Sequence, residues 1–370
     1  MNYDVLEFNS KILNQFEKDG KKFIILSETH FYPDGVGGQL SDRGYIGNAK
    51  VLNVFEDDNG NILHQVDHFE ETIPVHCKID AERRKDIERE HTAQHIISRA
   101  LEVLYGIETV SFHMGEELST IDINRVELKE DELENVELLS NKIVLSGRAV
   151  KKYYIDREQA YKIDIRKASE IKGPIRIVEV DGFDITMCGG THVNVTNEIG
   201  IIKIFKKEKV KKDYLRLYFA SGLRALKIIQ KKVNILGNLS KLFTTSEQEL
   251  GNSIQKLMEE NKNLSKKIKT IEEILINELS TKFNEGDVIK ENIENISKKT
   301  FEKLAVSLKK KGVKGYLKLI DEFNSTFAFL SDVEIEKNYR SYTIEGVKFV
   351  TIPKDEELVF ESSLAYKLII

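Results

Sequence analysis

Two short motifs, far apart in the chain, carry the side chains with the clearest chemical potential. The first is His91-Thr-Ala-Gln-His95, and the second is Cys188-Gly-Gly-Thr-His192. Each holds two metal-binding side chains four positions apart. Together they offer three imidazoles and one thiolate, a set that suits a tetrahedral zinc ion. If the fold brings both pairs together, the protein is built around a metal.

Each pair of side chains has a simpler interpretation when it is taken alone. Most His-x-x-x-His pairs are surface or core histidines, and a cysteine near a histidine is often only a buried thiol. The combination favours a metal because four nitrogen and sulfur ligands in two close pairs are typical of zinc sites. The two glycines between Cys188 and His192 also let the backbone fold tightly, so that thiolate and imidazole can converge.

The ligand set leaves the role of the zinc open. A closed four-ligand site is usually structural, whereas a catalytic site keeps a position for water or substrate. Mostly neutral imidazole ligands leave the ion with a net positive charge. A ligand that stays outside the coordination sphere, or expansion to five ligands, would make room for a substrate. Both roles are consistent with the sequence.

The first ligand pair lies in a segment with a helical pattern. Residues 80–106 are predicted to form one helix, which Asp80 can cap and Gly106 can end. With about 100° of rotation per residue, one side of this helix is apolar. That side carries Ala93, Ile96, Ala100, Val103 and Leu104. His91 and His95 lie on roughly the opposite side and are expected to face polar surroundings.

The rest of the pattern predicts an α+β protein in four parts. Strands are predicted at 22–26, 51–55, 61–66, 175–180, 200–205, 214–219, 316–320, 325–330, 347–352 and 365–370, with further helices at 132–147, 222–233 and 298–311. The predicted parts are an N-terminal β-barrel-like domain at 1–78, a zinc-binding domain at 79–236, a coiled-coil helix at 237–283 and a small C-terminal α/β domain at 284–370.

Apolar residues within 243–283 repeat with spacings of four and three, as in a heptad seam. The seam comprises Leu250, Ile254, Leu257, Leu264, Ile268, Ile271 and Leu275, with Asn261 in its one gap. The pattern predicts coiled-coil packing, either as a homodimer through residues 250–279 or as one arm of a helical hairpin. The alternative is a long helix packed on its own domain.

Bulk properties exclude several classes of protein. The formal net charge of −5 gives no global basic signature for nucleic acid, so any polyanion contact must come from a local patch. No apolar run is long enough to span a membrane, and no signal peptide is recognisable. The two cysteines, Cys77 and Cys188, form no disulfide framework, which favours the reducing cytoplasm.

The two ligand pairs resemble the metal motifs of one known family. They are similar to those in the editing domain of alanyl-tRNA synthetases and in its free-standing relatives, the alanyl-tRNA editing (AlaX-type) deacylases. The sequence THFYPDGVGGQ at 29–39, followed by Asp-Arg-Gly at 42–44, resembles the family's N-terminal glycine motif, with Val36 as an extra residue. The similarity covers about residues 20–236. The region beyond 240 weakly resembles a DHHA1-type domain.

This resemblance implies a zinc-dependent trans-editing hydrolase that removes the amino acid from mischarged tRNA(Ala), chiefly seryl-tRNA(Ala), with glycyl-tRNA(Ala) as a further candidate. The chain begins close to the glycine motif, so it is not expected to carry a synthetase core or to activate alanine. The residues implied in the reaction are Thr29, His91, His95, Cys188 and His192. Thr29 would sense the serine hydroxyl, although without the family it is an ordinary strand-end threonine. Cys188 would be a ligand rather than a nucleophile.

A run of cations after the second ligand pair is the candidate contact to tRNA phosphates. It comprises Lys203, Lys206, Lys207, Lys209, Lys211, Lys212 and Arg216. They lie on a predicted hairpin beside the metal motif, where phosphate contacts would make binding salt-dependent. The alternative is a solvated charged turn.

Three other functions are compatible with the sequence. A zinc hydrolase that acts on a small ester or amide predicts turnover without tRNA. A non-catalytic tRNA-binding or protein-binding module with structural zinc predicts binding without hydrolysis. Editing of another misacylated tRNA, such as seryl-tRNA(Thr), is the third, and the N-terminal glycine motif argues against it.

Overall fold

The computed structural model describes most of the chain. The described residues are 3–71, 74–156, 166, 175–211, 213–321, 324–331, 334–335, 339–354 and 360–361. They belong to two units, Met1–Gly237 and Asn238–Ile370. Both units contain helices and sheets, which confirms the predicted α+β class. The finer division into four parts stays a prediction.

Five α-helices lie within the described residues. They are α1 (Ala81–Tyr105), α2 (Glu130–Leu145), α3 (Gly222–Phe243), α4 (Leu250–Lys282) and α5 (Lys298–Lys310). The bounds of α1 agree with the prediction because the Asp80 side chain accepts hydrogen bonds from two first-turn amides, and Gly106 ends the helix at a φ of 66°. No helix among these is long and apolar enough to cross a membrane.

The same residues form 21 β-strands. In the first unit they are β1 (Glu7–Ser10), β2 (Ile12–Lys18), β3 (Lys21–Leu26), β4 (Gly44–Ile46), β5 (Ala49–Glu56), β6 (Ile62–Val66), β7 (Val75–Ile79), β8 (Thr109–His113), β9 (Ser119–Ile123), β10 (Val150–Ile155), β11 (Ile175–Val180), β12 (Asp184–Met187), β13 (Ile202–Lys211) and β14 (Tyr214–Ser221). In the second unit they are β15 (Val288–Ile293), β16 (Lys314–Ile320), β17 (Asn324–Phe329), β18 (Glu334–Ile335), β19 (Arg340–Ile344), β20 (Val347–Pro353) and β21 (Phe360–Glu361). The predicted strand at 365–370 lies outside the described residues.

The strands before α1 form one antiparallel seven-stranded sheet. Its order is β1-β7-β4-β5-β6-β3-β2, with β1 and β2 at its two ends, so the barrel-like shape stays a prediction. Alternating apolar residues bury one face of the sheet, including Ile24, Val51 and Ile79, each at most 1% exposed. The loop between β3 and β4 holds the glycine motif.

A buried ion pair joins this loop to α1. The Arg84 guanidinium donates to the Asp42 carboxylate at 2.8 Å and to the His30 carbonyl at 3.0 Å. The same carboxylate accepts the Tyr32 amide at 2.6 Å. The side chains of both charged residues are at most 2% exposed. These charge-assisted bonds hold the glycine motif against the helix that carries the first ligand pair.

The core around α1 is wider than the predicted apolar stripe. Val103 and Leu104, which the stripe includes, are exposed by 55% and 39%, whereas Ile97 and Leu101 are fully buried. The stripe fails because α2, β12 and β14 all pack against α1, so more than one of its sides is covered. Two antiparallel sheets, β13-β14-β9-β8 and β10-β11-β12, complete this part of the first unit.

The second unit contains α4, α5 and the sheet β15-β16-β17-β20-β19. β15 and β16 are parallel, and α5 packs on the sheet through an apolar face that includes Phe301, Leu304 and Leu308. Along α4, the predicted seam residues Leu257 and Leu264 are exposed by 52% and 58%. α4 accounts for residues 250–282 of the predicted 237–283 helix, whereas residues 237–243 belong to α3 and the helix is interrupted between Phe243 and Leu250. Association through the seam stays a prediction.

Candidate metal centre

The two predicted ligand pairs meet in the first unit. The four ligand atoms of His91, His95, Cys188 and His192 lie within 4.8 Å of one another. Cys188 Sγ is 3.5 Å from His91 Nε2 and 3.3 Å from His192 Nε2. Zinc–nitrogen and zinc–sulfur bonds of ordinary length in a tetrahedron separate such ligand atoms by about 3.4–3.6 Å. The two sulfur–nitrogen distances match this separation, so the residues present fit a shared metal ion.

Helix and turn geometry explain why these side chains converge. His91 and His95 lie one turn apart on α1, and Cys188 directly follows β12. A Cβ atom on Gly190 would lie 2.1 Å from Cε1 of His91. The second glycine of the turn is therefore required by the close approach of the imidazole. Gly189 has open space around the same position, so the two glycines are not equivalent.

Two residues outside the cluster, Gln39 and Thr92, orient two of the imidazoles. Gln39 Oε1 accepts the Nδ1–H of His91 at 2.8 Å, which leaves Nε2 of that ring free to face the cluster. Nδ1 of His192 lies 3.1 Å from the Thr92 hydroxyl. That hydroxyl donates to the Glu88 carbonyl, so it accepts from His192. Gln39 and Thr92 were not predicted as site residues, because their contacts to the imidazoles join residues 52 and 100 positions apart in the sequence.

The third imidazole has a carboxylate as its outer neighbour. His95 Nδ1 is 3.5 Å from Asp184 Oδ2, which is ion-pair range but too long for a formed hydrogen bond. The other oxygen of Asp184 accepts Nε of Arg166 at 2.7 Å. Nδ1 of His95 is buried and has no hydrogen-bond partner among the described residues. Asp184 also went unnoticed in the sequence, although it lies only four residues before Cys188.

The electrostatics favour the metal-binding forms of Cys188 and His192, whereas the burial of His95 is outweighed by Asp184 and Cys188, which raise the pKa of His95. Burial raises the pKa of the Cys188 thiol, but the neighbouring His91 and His192 bring it well below its usual value. Burial, together with His91, lowers the pKa of His192 well below its usual value. Near neutral pH the cluster therefore offers a thiolate and a neutral imidazole, which are the protonation states that bind metals.

Comparison with known proteins points to one family. Residues 175–218 match the family described as the threonyl and alanyl tRNA synthetase second additional domain. The alanyl-tRNA editing protein Aarsd1 of Danio rerio is 32% identical over 258 residues, which cover 66% of this chain and 62% of that protein. This chain is related to the alanyl-tRNA editing proteins.

The relationship extends to alanine–tRNA ligases but covers only part of each relative. The ligase of Methanopyrus kandleri is 31% identical over 258 residues, which cover 66% of this chain and 28% of the ligase. The chain thus spans about three-fifths of the editing protein and about a quarter of the ligase. The matched segment, residues 175–218, contains Cys188 and His192 of this chain.

Thr29 is the first residue of the glycine motif and is 8% exposed. Its hydroxyl oxygen is 2.8 Å from Nε2 of His64 and accepts the Phe31 amide at 3.2 Å. Three residues further on, burial and the charge of Cys188 raise the pKa of Tyr32. The loop that carries Thr29 therefore passes the metal cluster.

The predicted tRNA-binding cations that the structure describes lie on the β13–β14 hairpin. Four form ion pairs with carboxylates at 2.6–2.8 Å: Lys203 with Glu137, Lys206 with Glu208, Lys207 with Glu130 and Arg216 with Asp122. Lys209 is exposed, while the Lys211 side chain and Lys212 lie outside the described residues. Because these acids offset much of the positive charge, the hairpin is less basic than its sequence suggests.

Proposed function

We propose that this chain hydrolyses the ester bond of mischarged tRNA(Ala), chiefly seryl-tRNA(Ala), with glycyl-tRNA(Ala) as a second substrate. The observation that supports it most is the convergence of both ligand pairs beside the glycine motif, in a relative of the alanyl-tRNA editing proteins. The acylated 3′ end of the tRNA would enter at this cluster. The reaction is a carboxylic ester hydrolysis that acts in trans on free aminoacyl-tRNA.

We assign zinc as the metal because three imidazoles and a thiolate match its ligand preferences. His91, His95, Cys188 and His192 would hold it. When bound, zinc supplies Lewis-acid charge for ester hydrolysis. Cys188 acts as a thiolate ligand and does not attack the ester, since its sulfur lies between two ligand imidazoles.

The protein side chains around the cluster position the substrate. Nε2 of Gln39 is buried without a partner among the described residues, and its Oε1 is occupied by His91 and Thr191. A buried donor without a partner costs free energy, about 1–3 kcal/mol, which a substrate oxygen would recover. We therefore assign Gln39 Nε2 as a hydrogen-bond donor to a substrate oxygen, and Thr29 to recognition of the serine hydroxyl.

Two partner assignments complete the proposal. The hairpin cations Lys203–Arg216 would contact tRNA phosphates, and Lys209 is the described member without a carboxylate at ion-pair distance. A second copy would pack on the exposed seam of α4. Asn261→Leu should then strengthen self-association and reduce its specificity. Sedimentation that shows a monomer at every concentration would remove the dimer.

One assay tests the reaction against its rivals. The full chain is incubated with labelled seryl-tRNA(Ala) and alanyl-tRNA(Ala), and the rates of amino-acid release are compared. We expect rapid release from seryl-tRNA(Ala), with loss of both zinc and activity in Cys188→Ala. Cys77→Ala is the matched control, since this cysteine lies in the apolar core of the N-terminal sheet.

The other outcomes identify the alternatives. Full activity in zinc-free Cys188→Ala/His91→Ala would end the zinc assignment. Tight tRNA binding without hydrolysis would favour a binding module with a structural metal. Turnover of small esters or amides without tRNA would favour a general zinc hydrolase.

A further inference from the structure

A buried histidine outside the metal centre contacts the threonine that the proposed function assigns to the substrate. His64 lies on β6 and is fully buried, and its Nε2 is 2.8 Å from the Thr29 hydroxyl oxygen. On the other edge of the ring, Nδ1 is 3.0 Å from the carbonyl oxygen of Ile24. His64 belongs neither to the metal cluster nor to the residues that orient it.

These two contacts determine which ring nitrogen carries the hydrogen. A carbonyl oxygen only accepts, so Nδ1 of His64 must donate to Ile24. Burial lowers the pKa of His64 to about 4, so the ring is neutral near pH 7 and has a single N–H. Nε2 is therefore an acceptor, and the hydroxyl of Thr29 must donate to it.

The direction of this hydrogen bond limits what Thr29 can still bind. Its only hydroxyl hydrogen is used by His64, and one oxygen lone pair accepts the Phe31 amide at 3.2 Å. A hydroxyl oxygen has two lone pairs, so Thr29 can accept one further hydrogen bond and can donate none. A ligand of Thr29 must therefore bring a donor hydrogen.

The loop that carries Thr29 connects it to the metal centre. Within the same loop, Gln39 contacts His91, and Tyr32 is close enough to Cys188 for its charge to affect the tyrosine pKa. The buried Arg84–Asp42 pair holds this loop against α1. A group presented by Thr29 is thus held in a fixed relation to the cluster.

We infer that His64 is a positioning residue that holds the Thr29 hydroxyl as a hydrogen-bond acceptor for the side-chain hydroxyl of a seryl ester. This inference rests on the proposed function. Glycyl and alanyl esters bring no side-chain donor. His64 therefore contributes to discrimination between substrates and leaves the hydrolytic step itself unchanged.

Substitutions at both positions test the inference with the full chain. The measured quantity is the ratio of kcat/KM for seryl-tRNA(Ala) to that for glycyl-tRNA(Ala). We expect His64→Leu and Thr29→Val each to lower this ratio about tenfold, the value of one neutral hydrogen bond. His64→Gln keeps an acceptor facing Thr29 and should retain the ratio. Adding His64→Leu to Thr29→Val should cause no further loss, because the contact is already absent.

Two measurements separate failure of this inference from failure of the proposed function. Nitrogen-15 NMR of the wild-type chain should show His64 as the Nδ1–H tautomer, and the Nε2–H tautomer would overturn the inference even if His64→Leu fails to fold. Calorimetry with amide analogues of 3′-seryl- and 3′-glycyl-adenosine repeats the comparison without hydrolysis. Equal losses for both ligands in His64→Leu would show a purely structural role and also overturn it.

Discussion

The glycine turn between Cys188 and His192 makes a sharp prediction because its two glycines differ only in their surroundings. In Gly190→Ala the new Cβ would lie 2.1 Å from Cε1 and 2.3 Å from Nδ1 of His91, whereas ordinary contacts are 3.4–4 Å. Gly189→Ala meets nothing within 4 Å. Neither glycine has a φ that disfavours alanine, so Gly189→Ala is a matched control for the added methyl group.

The imidazole of His91 cannot easily move away from that methyl group. It is 2% exposed, stacks on Phe112 with ring centroids 5.4 Å apart and donates to Gln39 at 2.8 Å. Relief of the clash needs a shift of about 1 Å, which takes Nε2 out of bonding range of a shared metal. Because the loss of orienting contacts alone lowers metal affinity by about 10–100-fold, we expect at least about 100-fold here, or about 2.7 kcal/mol.

Competition with a chromophoric zinc chelator measures this affinity in both variants. Gly190→Ala should bind zinc at least about 100-fold more weakly than the wild type, and Gly189→Ala should match the wild type. Circular dichroism of the zinc-free forms checks that both variants remain folded. Equal zinc affinity in the two variants would refute the argument that the imidazole is confined.

Two further predictions concern stability. Arg84→Ala should lower the free energy of unfolding, measured in urea, by about 3–5 kcal/mol, because it leaves the Asp42 carboxylate buried without its partner. The control Arg43→Ala removes an exposed ion pair and should cost under about 1 kcal/mol. Similar losses in the two variants would contradict this prediction. The free energy of unfolding should fall by about 3 kcal/mol through His64 as the pH is lowered from 6.5 to 4. The reason is that the pKa of His64 is about 4 in the folded chain and about 6.5 in the unfolded chain, so within this range only the unfolded chain takes up the proton. Urea unfolding across this range checks it, and an unchanged pH slope in His64→Gln would contradict it.

Local patterns predicted the elements well where the responsible signal is short. The bounds of α1 followed from a capping aspartate and a terminal glycine, and those residues act within one turn of the helix. The apolar stripe at Val103 and Leu104 failed because burial there depends on which elements pack against α1. Periodicity along one helix carries no information about its neighbours.

The four side chains of the candidate metal cluster were predictable for a similar reason. His91 with His95, and Cys188 with His192, pair over four residues, and side-chain type and spacing alone limit what they can bind. The residues that orient them were not predictable. Gln39 reaches His91 across 52 residues, a distance along the chain over which no spacing rule operates.

By itself, the sequence indicated the four side chains of the candidate metal cluster, the α+β class and the two ends of α1, because each depends on chemistry within a few residues. Only the tertiary structure decided that the two His/Cys pairs meet and that carboxylates offset the charge of the hairpin cations. It also decided that the Thr29 hydroxyl donates its hydrogen to His64. Those outcomes depend on contacts between strands and helices that are distant in the chain, and such contacts exist only once the chain is folded.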